Sequence, residues 1–443
     1  MTTTGILTKD FEIFSAAQFL ESVSESNNSN LYLVIGKQSP WANESNPDIV
    51  QTTEYYINNL WENMIGGVRI TGSDIRHVIP RNNWTANTVY DQWDHTQTNN
   101  FAEANANFYI LTTDWNVYKC VYNGNSANST IEPSVISTEL ISTEDGYIWK
   151  YMYSVNSYEQ TRFANSDYIP VRTLIDDNGS TQYDVQDAAL NGSISAIKLN
   201  NAGENYTDSN NITVTITGDG IGAVAAAAVN TISNTISSIE ILNPGSGYSN
   251  ARVTITTTDS GVNASANVLL ARQGGHGSDP LYELGGKWLM INVRLSPEQH
   301  SLLSSNAVFR QVAIIKDPLV YGSNTISTNT TISQTVDVTV SGAAGDYVQG
   351  EYVYQGTSVT NSTYLGYVSE WDSGNNKMKL TNTIGSITND TIIGNTSTIT
   401  SFVSSVSNPS LEPRTGRILY INNIESIPRD EDQTEEFKII LEF

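Results

Sequence analysis

The chain has 443 residues, more than one core serves, since single cores rarely extend past about 250–300 residues. Lys and Arg number 22 against 46 Asp and Glu, a formal net charge of −24; with no basic stripe to offset it, this excludes nucleic acid or an anionic lipid surface as the main partner. Cys120 is the only cysteine, which excludes an intrachain disulfide and a cysteine zinc cluster, and no run approaches the about 20 apolar residues of a membrane span.

Charged residues are only 15% of the chain, while Asn, Ser and Thr abound. That is the composition of a β-rich protein with many turns. The opening stretch MTTTGILTKDFEIF has no basic n-region and no apolar h-region, so no secretion signal is expected.

In chain order, Ile13, Ala16, Ala17, Leu20 and Val23 share one face and predict a helix over Phe11 to Val23. Leu31–Ile35 reads as a strand. Asn46-Pro47 reads as a helix start, with Val50, Ile57, Leu60, Trp61 and Met64 as its stripe and Gly66-Gly67 as its end. Two runs, 108–112 and 117–122, flank Thr113–Asn116 and predict a hairpin. Tyr147–Val155 is an aromatic strand, and Tyr168–Leu174 an extended segment with a proline.

Ile194, Ile197, Gly203 and Tyr206 recur 42 residues later as Ile236, Ile239, Gly245 and Tyr248. The glycine suits a turn with positive φ and the tyrosine can cover it. Two copies are too few for a solenoid, which needs about three or more, so a compact β domain of two related halves is expected. Residues 274–318 then hold two short apolar runs, Trp288–Leu295 and Val308–Ile315, predicted to be buried strands where the chain returns to its main body. Beyond them, 346–355, 362–370 and 377–380 predict a β-meander. Residues 382–408, low in charge and rich in Ser, Thr and Asn, are expected to be loosely ordered. Strands are expected at 418–421 and 437–443, around an acidic loop at 430–436.

Candidate chemistry is sparse. His77, His95, His276 and His300 form no metal-binding spacing. His276 has Ser278 and Asp279 beside it, but neighbours in one loop do not converge as a triad does. The glycines of 218–222 lack the dinucleotide spacing. Asp430, Glu431, Asp432, Glu435 and Glu436 lack an EF-hand pattern and read as a solvated acidic loop. Cys120 reads as a buried, inert thiol. No catalytic residue, cofactor or metal ligand is assigned. Trp115, Tyr118, Tyr147, Trp149, Tyr151 and Tyr153 are the candidate interface, with core packing the competing use; Tyr147, Trp149, Tyr151 and Tyr153 would share one strand face.

Several long stretches carry a resemblance: ITGSDIRHVIPRNNW at 70–84, FYILTTDWNVYKCVYN at 108–123, EDGYIWKYMYSV at 144–155, YIPVRTL at 168–174, HGSDPLYELGG at 276–286, FRQVAIIKDP at 309–318 and the closing RILYINNIESIPRDEDQTEEFKIILEF. The chain resembles the baseplate wedge subunits of T4-like contractile-tailed phages, the gene-product-eight kind. The resemblance implies an α+β, β-rich fold, a mixed α/β body with two inserted all-β domains. On that basis the body spans 1–190 (β-rich at about 85–175), 274–321 and 411–443, with inserts at 191–273 and 322–410. It implies a structural, non-enzymatic virion protein of the tail baseplate, assembled in the host cytoplasm. Its implied partners are a second copy (a homodimer) and other wedge proteins, with no nucleic acid and no membrane insertion. Both inserts depart from the family pattern by their length. Rigid β modules joined by Gly/Ser/Asn hinges would permit rearrangement on infection. The alternative is a glycan-binding or hydrolytic tail component, suggested by aromatics in the inserts.

Overall fold

A computed structural model describes residues 7–25, 29–96, 107–296, 303, 307–430 and 432–443. The chain divides into two units. One comprises Met1–Gln18, Arg76–Met290 and Ile440–Phe443; the other comprises Phe19–Ile75 and Ile291–Ile439. The fold is β-rich with few helices, as expected. Among the described residues no helix is long and apolar enough to cross a membrane. The first helix runs Lys9–Ser24 and buries Ile13, Ala16 and Val23 of the predicted stripe, with Ala17 and Leu20 half-buried.

The second unit is built on a five-stranded antiparallel sheet in the order Thr331–Ser333, Met64–Ile70, Leu31–Gly36, Ala307–Lys316, Arg417–Arg429. Leu31–Gly36 is buried at every position; its unbroken apolar sequence is what a strand covered on both faces requires. The helix Glu54–Asn63 packs Leu60 and Trp61 against Tyr32, Val34, Ala313 and Ile315. It starts after Thr53, not at Asn46-Pro47. Gly66 and Gly67 do not end it; they lie inside the strand Met64–Ile70. A Cβ on Gly67 would come within 2.1 Å of the Leu33 carbonyl oxygen, and one on Gly66 within 2.3 Å of that of Ile332. These glycines serve close backbone approach.

The same unit carries a closed six-stranded barrel in the order Val336–Ser341, Lys377–Gly385, Ser362–Asp372, Tyr352–Gly356, Thr391–Gly394, Thr400–Ser407. Its interior is filled by Val338, Val353, Tyr364, Val368, Met378, Leu380, Ile392 and Val403. Residues 382–408 are therefore not loose: two of their segments close the barrel. Closure satisfies every strand edge, so low-charge Ser/Thr strands are held by backbone pairing and one inward side chain in two.

The first unit holds a four-stranded sheet in the order Tyr109–Leu111, Asn116–Asn123, Tyr147–Ser154, Leu140–Ser142. The predicted hairpin is present, and Trp115 turns it with a left-handed φ of 61°. Ile75–Pro80 pairs with Tyr168–Pro170, Val78 opposite Pro170. Val78, Phe163, Trp288 and Met290 form a small core with Ile440 against it. The predicted return strands appear as Trp288–Leu295 and Ala307–Lys316.

The 42-residue repeat builds a module of three antiparallel pairs. Ile194–Asn201 pairs with Ser265–Leu270, Ile221–Asn230 with Thr235–Ser246, and Ile212–Gly218 with Ala251–Thr257. The first strand of each repeat thus pairs with the last strand of the other, so the halves interlock. All six repeated Ile and Tyr side chains are buried in one core. Gly203 and Gly245 have φ of 68° and 60°, as the turn reading predicts.

Candidate functional site

The most concentrated chemistry in the first unit is a buried polar cluster drawn from separate segments. Lys119 comes from Asn116–Asn123 and Lys150 from Tyr147–Ser154. Ser195 comes from Ile194–Asn201. His276 lies in the glycine turn, and Glu283 ends the short helix Pro280–Glu283. All five are buried, Lys119 and Glu283 completely.

Glu283 organises the group. One carboxylate oxygen receives Lys119 Nζ at 2.7 Å. The other accepts the Gly277 and Asp279 backbone N–H groups at 2.7 and 3.2 Å. Burial alone would raise its carboxyl; Lys119, with His276 alongside, pulls it down to about 2. Burial lowers Lys119 and Glu283 raises it; with the carboxylate this well supplied with donors, the pair is ionic. Lys119 Nζ also lies 4.1 Å from the centre of the Trp93 ring, a cation–π contact. The Trp93 indole donates to the Leu270 carbonyl at 3.1 Å.

Ser195 Oγ and His276 Nε2 are 2.6 Å apart. Burial, reinforced by the Lys119 charge, pulls the imidazole down to about 4, so it is neutral at pH 7. A serine hydrogen-bonded to a neutral histidine is the first half of a nucleophile–base pair. The second half is missing. His276 Nδ1 is 3.9 Å from Glu283 Oε2, beyond hydrogen-bond reach. The N–H groups nearest the carboxylate are spent on it, and the adjoining cavity, about 90 Å3, is bounded by Leu140, Lys150, Leu190, Ser193 and Pro244. That is room for several waters, each of which needs about 10–15 Å3 of space open to its centre. The arrangement pins the glycine turn. Gly275 and Gly277, with φ of 99° and 90°, bring it so close that added Cβ atoms would meet Leu190 backbone and Val185 Cγ1 at 2.7 Å.

In sequence His276 has Ser278 and Asp279 beside it, neighbours too close along one loop to converge as a triad. In the structure Ser278 Oγ donates to the Gly275 carbonyl, and Asp279 caps the helix at Tyr282 N. The true neighbours, Ser195, Lys119 and Glu283, are distant in sequence; the one signal available was a glutamate and a lysine inside apolar runs.

The aromatic candidates lie inward. Tyr118, Tyr147, Trp149, Tyr151 and Tyr153 are buried, and Trp115 is half-buried under the Arg81 guanidinium at 4.9 Å. Tyr147 stacks on Trp149 at 5.3 Å, and the Tyr147 and Tyr118 hydroxyls donate to the carbonyls of Ala127 and Val135. Of the two uses weighed, the structure places them in the core. Nor do the four strand aromatics share one face: a bulge opposite Val117/Tyr118 turns Tyr153 away from Tyr151, into the cluster around Ile79 and Phe108. The first insert has only two aromatics, Tyr206 and Tyr248, and both are buried, so it offers no aromatic platform for a sugar.

The remaining candidates are quiet. Cys120 is fully buried, and burial pushes its thiol up. His77 Nδ1 meets the Gly286 carbonyl at 2.7 Å, and His95 Nδ1 accepts from Leu270 N at 3.3 Å. His300 and Glu431 lie outside the described residues. In the acidic loop, Glu435 is buried against Arg429, and Glu436 receives Asn292 at 2.8 Å and Arg294 at 3.0 Å. Among the described residues no group of three or more His, Cys, Asp or Glu is arranged to hold a metal. At 218–222, Asp219 caps a turn, and an added Cβ on Gly220 would meet the Tyr248 ring at 2.4 Å; no cradle for a phosphate exists there.

Comparison with known proteins follows the resemblance read from the sequence. A family model described as "Bacteriophage T4, Gp8" matches residues 5–138. The N-terminal part of this chain matches the phage Gp8 family. A curated relative, "Baseplate wedge protein gp8" of Enterobacteria phage T4, is 22% identical over 202 residues, covering 38% of this chain and 60% of the relative. The match thus spans about 60% of the relative's length, short of two thirds. The Gp8-matching segment takes in the first helix, the central strand Leu31–Gly36, the helix Glu54–Asn63 and the hairpin carrying Lys119.

Proposed function

We propose that this chain is a structural protein of a contractile phage tail, a wedge subunit of the baseplate, and that it catalyses no reaction. The observation that carries this reading is the Gp8 match over residues 5–138, a span that contributes strands to the cores of both units. In this reading the chain resides in the virion, assembles in the host cytoplasm, pairs with a second copy and joins neighbouring wedge proteins. Such work calls for large, specific interfaces on rigid elements, and β modules with filled cores supply them. The Ser195–His276 pair supports a positional role, because its carboxylate is out of reach and its cavity is small.

Size-exclusion chromatography with light scattering tests the pairing: a dimer at micromolar concentration is expected, and a strict monomer contradicts it. Mixing with the other wedge proteins tests the joint: co-elution as a defined complex is expected, and separate elution of every component contradicts it.

A further inference from the structure

In the second unit, a cleft of about 470 Å3 lies between the strand Arg417–Arg429 and the start of Glu435–Glu442. Its apolar walls include Tyr420, Ile424, Ile427, Phe437 and Ile439, all partly exposed. Arg417–Arg429 is 13 residues long and ends its sheet. Among the described residues no strand pairs with its far edge. Open edges of this length are templates for an added strand.

The cleft also holds an incompletely answered charge. Glu435 lines it and is 6% exposed. Arg429, 1% exposed, binds Glu435 Oε2 through Nη1, while among the described residues Glu435 Oε1 has no hydrogen-bond partner. Burial raises the Glu435 carboxyl against the pull of Arg429, so one cation does not fully offset the cost of burying it. The adjacent Glu436 is occupied by Arg294 and Asn292, and the whole chain carries −24. Apolar walls, an open strand edge and a buried carboxylate with a spare oxygen together describe a complementary guest.

We propose that this cleft receives an extended segment of another protein, laid as an added strand along Arg417–Arg429, with a lysine or arginine side chain reaching Glu435. Main-chain bonds to the edge supply affinity, and the cation at Glu435 fixes the register. The inference rests on the reading of the chain as a joint between proteins, yet its test needs no assembled particle.

The full chain is titrated, by fluorescence anisotropy, with a labelled nonapeptide of alternating threonine and valine bearing a central lysine. Two controls carry glutamate or norleucine at that position. The lysine peptide should bind at least about tenfold more tightly than either control, the scale of a charge-assisted contact. Glu435→Gln should abolish that preference, and Ile439→Asp, which leaves Glu435 in place, should weaken all three peptides. Because Glu435→Gln strips Arg429 of its partner, Ile439→Asp keeps the test decisive if the first variant fails to fold. Equal affinity for the three peptides, no binding at millimolar peptide, or lysine-peptide binding unchanged by Ile439→Asp overturns the proposal. So does self-association that Ile439→Asp abolishes while the peptide goes unbound, because the guest is then a second copy.

Discussion

The carboxylate of Asp219, in the first repeat, accepts the backbone N–H groups of Ser249 and Asn250, in the second, both at 2.9 Å. The reverse exchange is made by Asp259, which accepts the backbone N–H and hydroxyl of Thr207, both at 3.1 Å. Ser249 and Thr207 each directly follow a repeat tyrosine. Each half therefore caps the tyrosine turn of the other, as each also lends its last strand to the other's first. The module is one cooperative body, and neither half has a complete sheet alone.

Asp219→Ala and Asp259→Ala should each lower the melting temperature of the chain's weakest transition. The donors around them hold both carboxyls low, Asp219 at about 2. A depressed carboxyl stabilises the fold above its unfolded value and loses that contribution as pH falls through the folded one; the variants should therefore differ from the parent at pH 7, and Asp219→Ala should converge with it near pH 2, Asp259→Ala only at still lower pH. Tyr248→Ala, which empties a buried site, should cost about 3–5 kcal/mol by chemical denaturation. Retention of one half's exchange protection in Tyr248→Ala would contradict the interlock.

Lys119→Met should cost about 3–5 kcal/mol, because it strands Glu283 as an uncompensated buried charge. Lys119→Met combined with Glu283→Gln should recover most of that loss, since the amide oxygen still accepts from Gly277. Urea denaturation of the two single variants, the double variant and the parent reads the coupling directly; additive effects would mean that the pair is not the anchor of the glycine turn.

Acid should weaken the first unit in two steps. His276 is held at about 4 against an ordinary 6.5. Below pH 6.5 the unfolded chain takes up a proton that the buried ring refuses, so stability falls between pH 6.5 and 4, by an amount on the order of 3 kcal/mol. Glu283, ordinarily near 4.5 and held at about 2, contributes a further fall between those values. Denaturation midpoints of the parent and of His276→Gln across pH 4–7 check the first step: the variant should show a flatter slope.

The barrel is fixed to its sheet by a side chain. Gln334, buried, donates to the Leu411 carbonyl at 3.1 Å and accepts from Leu411 N at 3.2 Å, so it mimics a strand where the two barrel connections pass. Ser410 N donates to the Ser333 carbonyl at 2.7 Å, and Gln334 N to that of Ile65 at 2.8 Å. With both connections bonded in this way, the barrel and sheet should move as one body. Gln334→Ala should cost about 1–3 kcal/mol for each buried group left unsatisfied and should speed hydrogen exchange at Leu411 and Ser410 ahead of the barrel strands. Unchanged exchange there would show that the staple is not what holds the barrel.

Legibility followed sequence distance. The helix over Lys9–Ser24, the hairpin around Trp115 and the strand Leu31–Gly36 announce themselves through local periodicity and turn chemistry. The repeat was visible because Ile, Gly and Tyr recur at one spacing, but that spacing says nothing about which half's strands pair; the exchange depends on Asp219 and Asp259, which look like ordinary turn residues. Gly66-Gly67 misled because a helix stop and a close strand contact ask for the same residue. The barrel's last strands were obscured because closure supplies pairing that no single strand's composition signals. The Lys119–Glu283–His276–Ser195 cluster was unreadable for the most basic reason: its members lie up to 164 residues apart, and only the fold brings them together.

The most direct test of the structural reading is a cryo-electron map of the intact virion tail with this protein built into it. The account predicts the five-stranded sheet with its six-stranded barrel, and the interlocked repeat module, fitted into density of the baseplate wedges and in contact with neighbouring subunits. A baseplate fully accounted for by other proteins, with this chain absent from the particle, would contradict it.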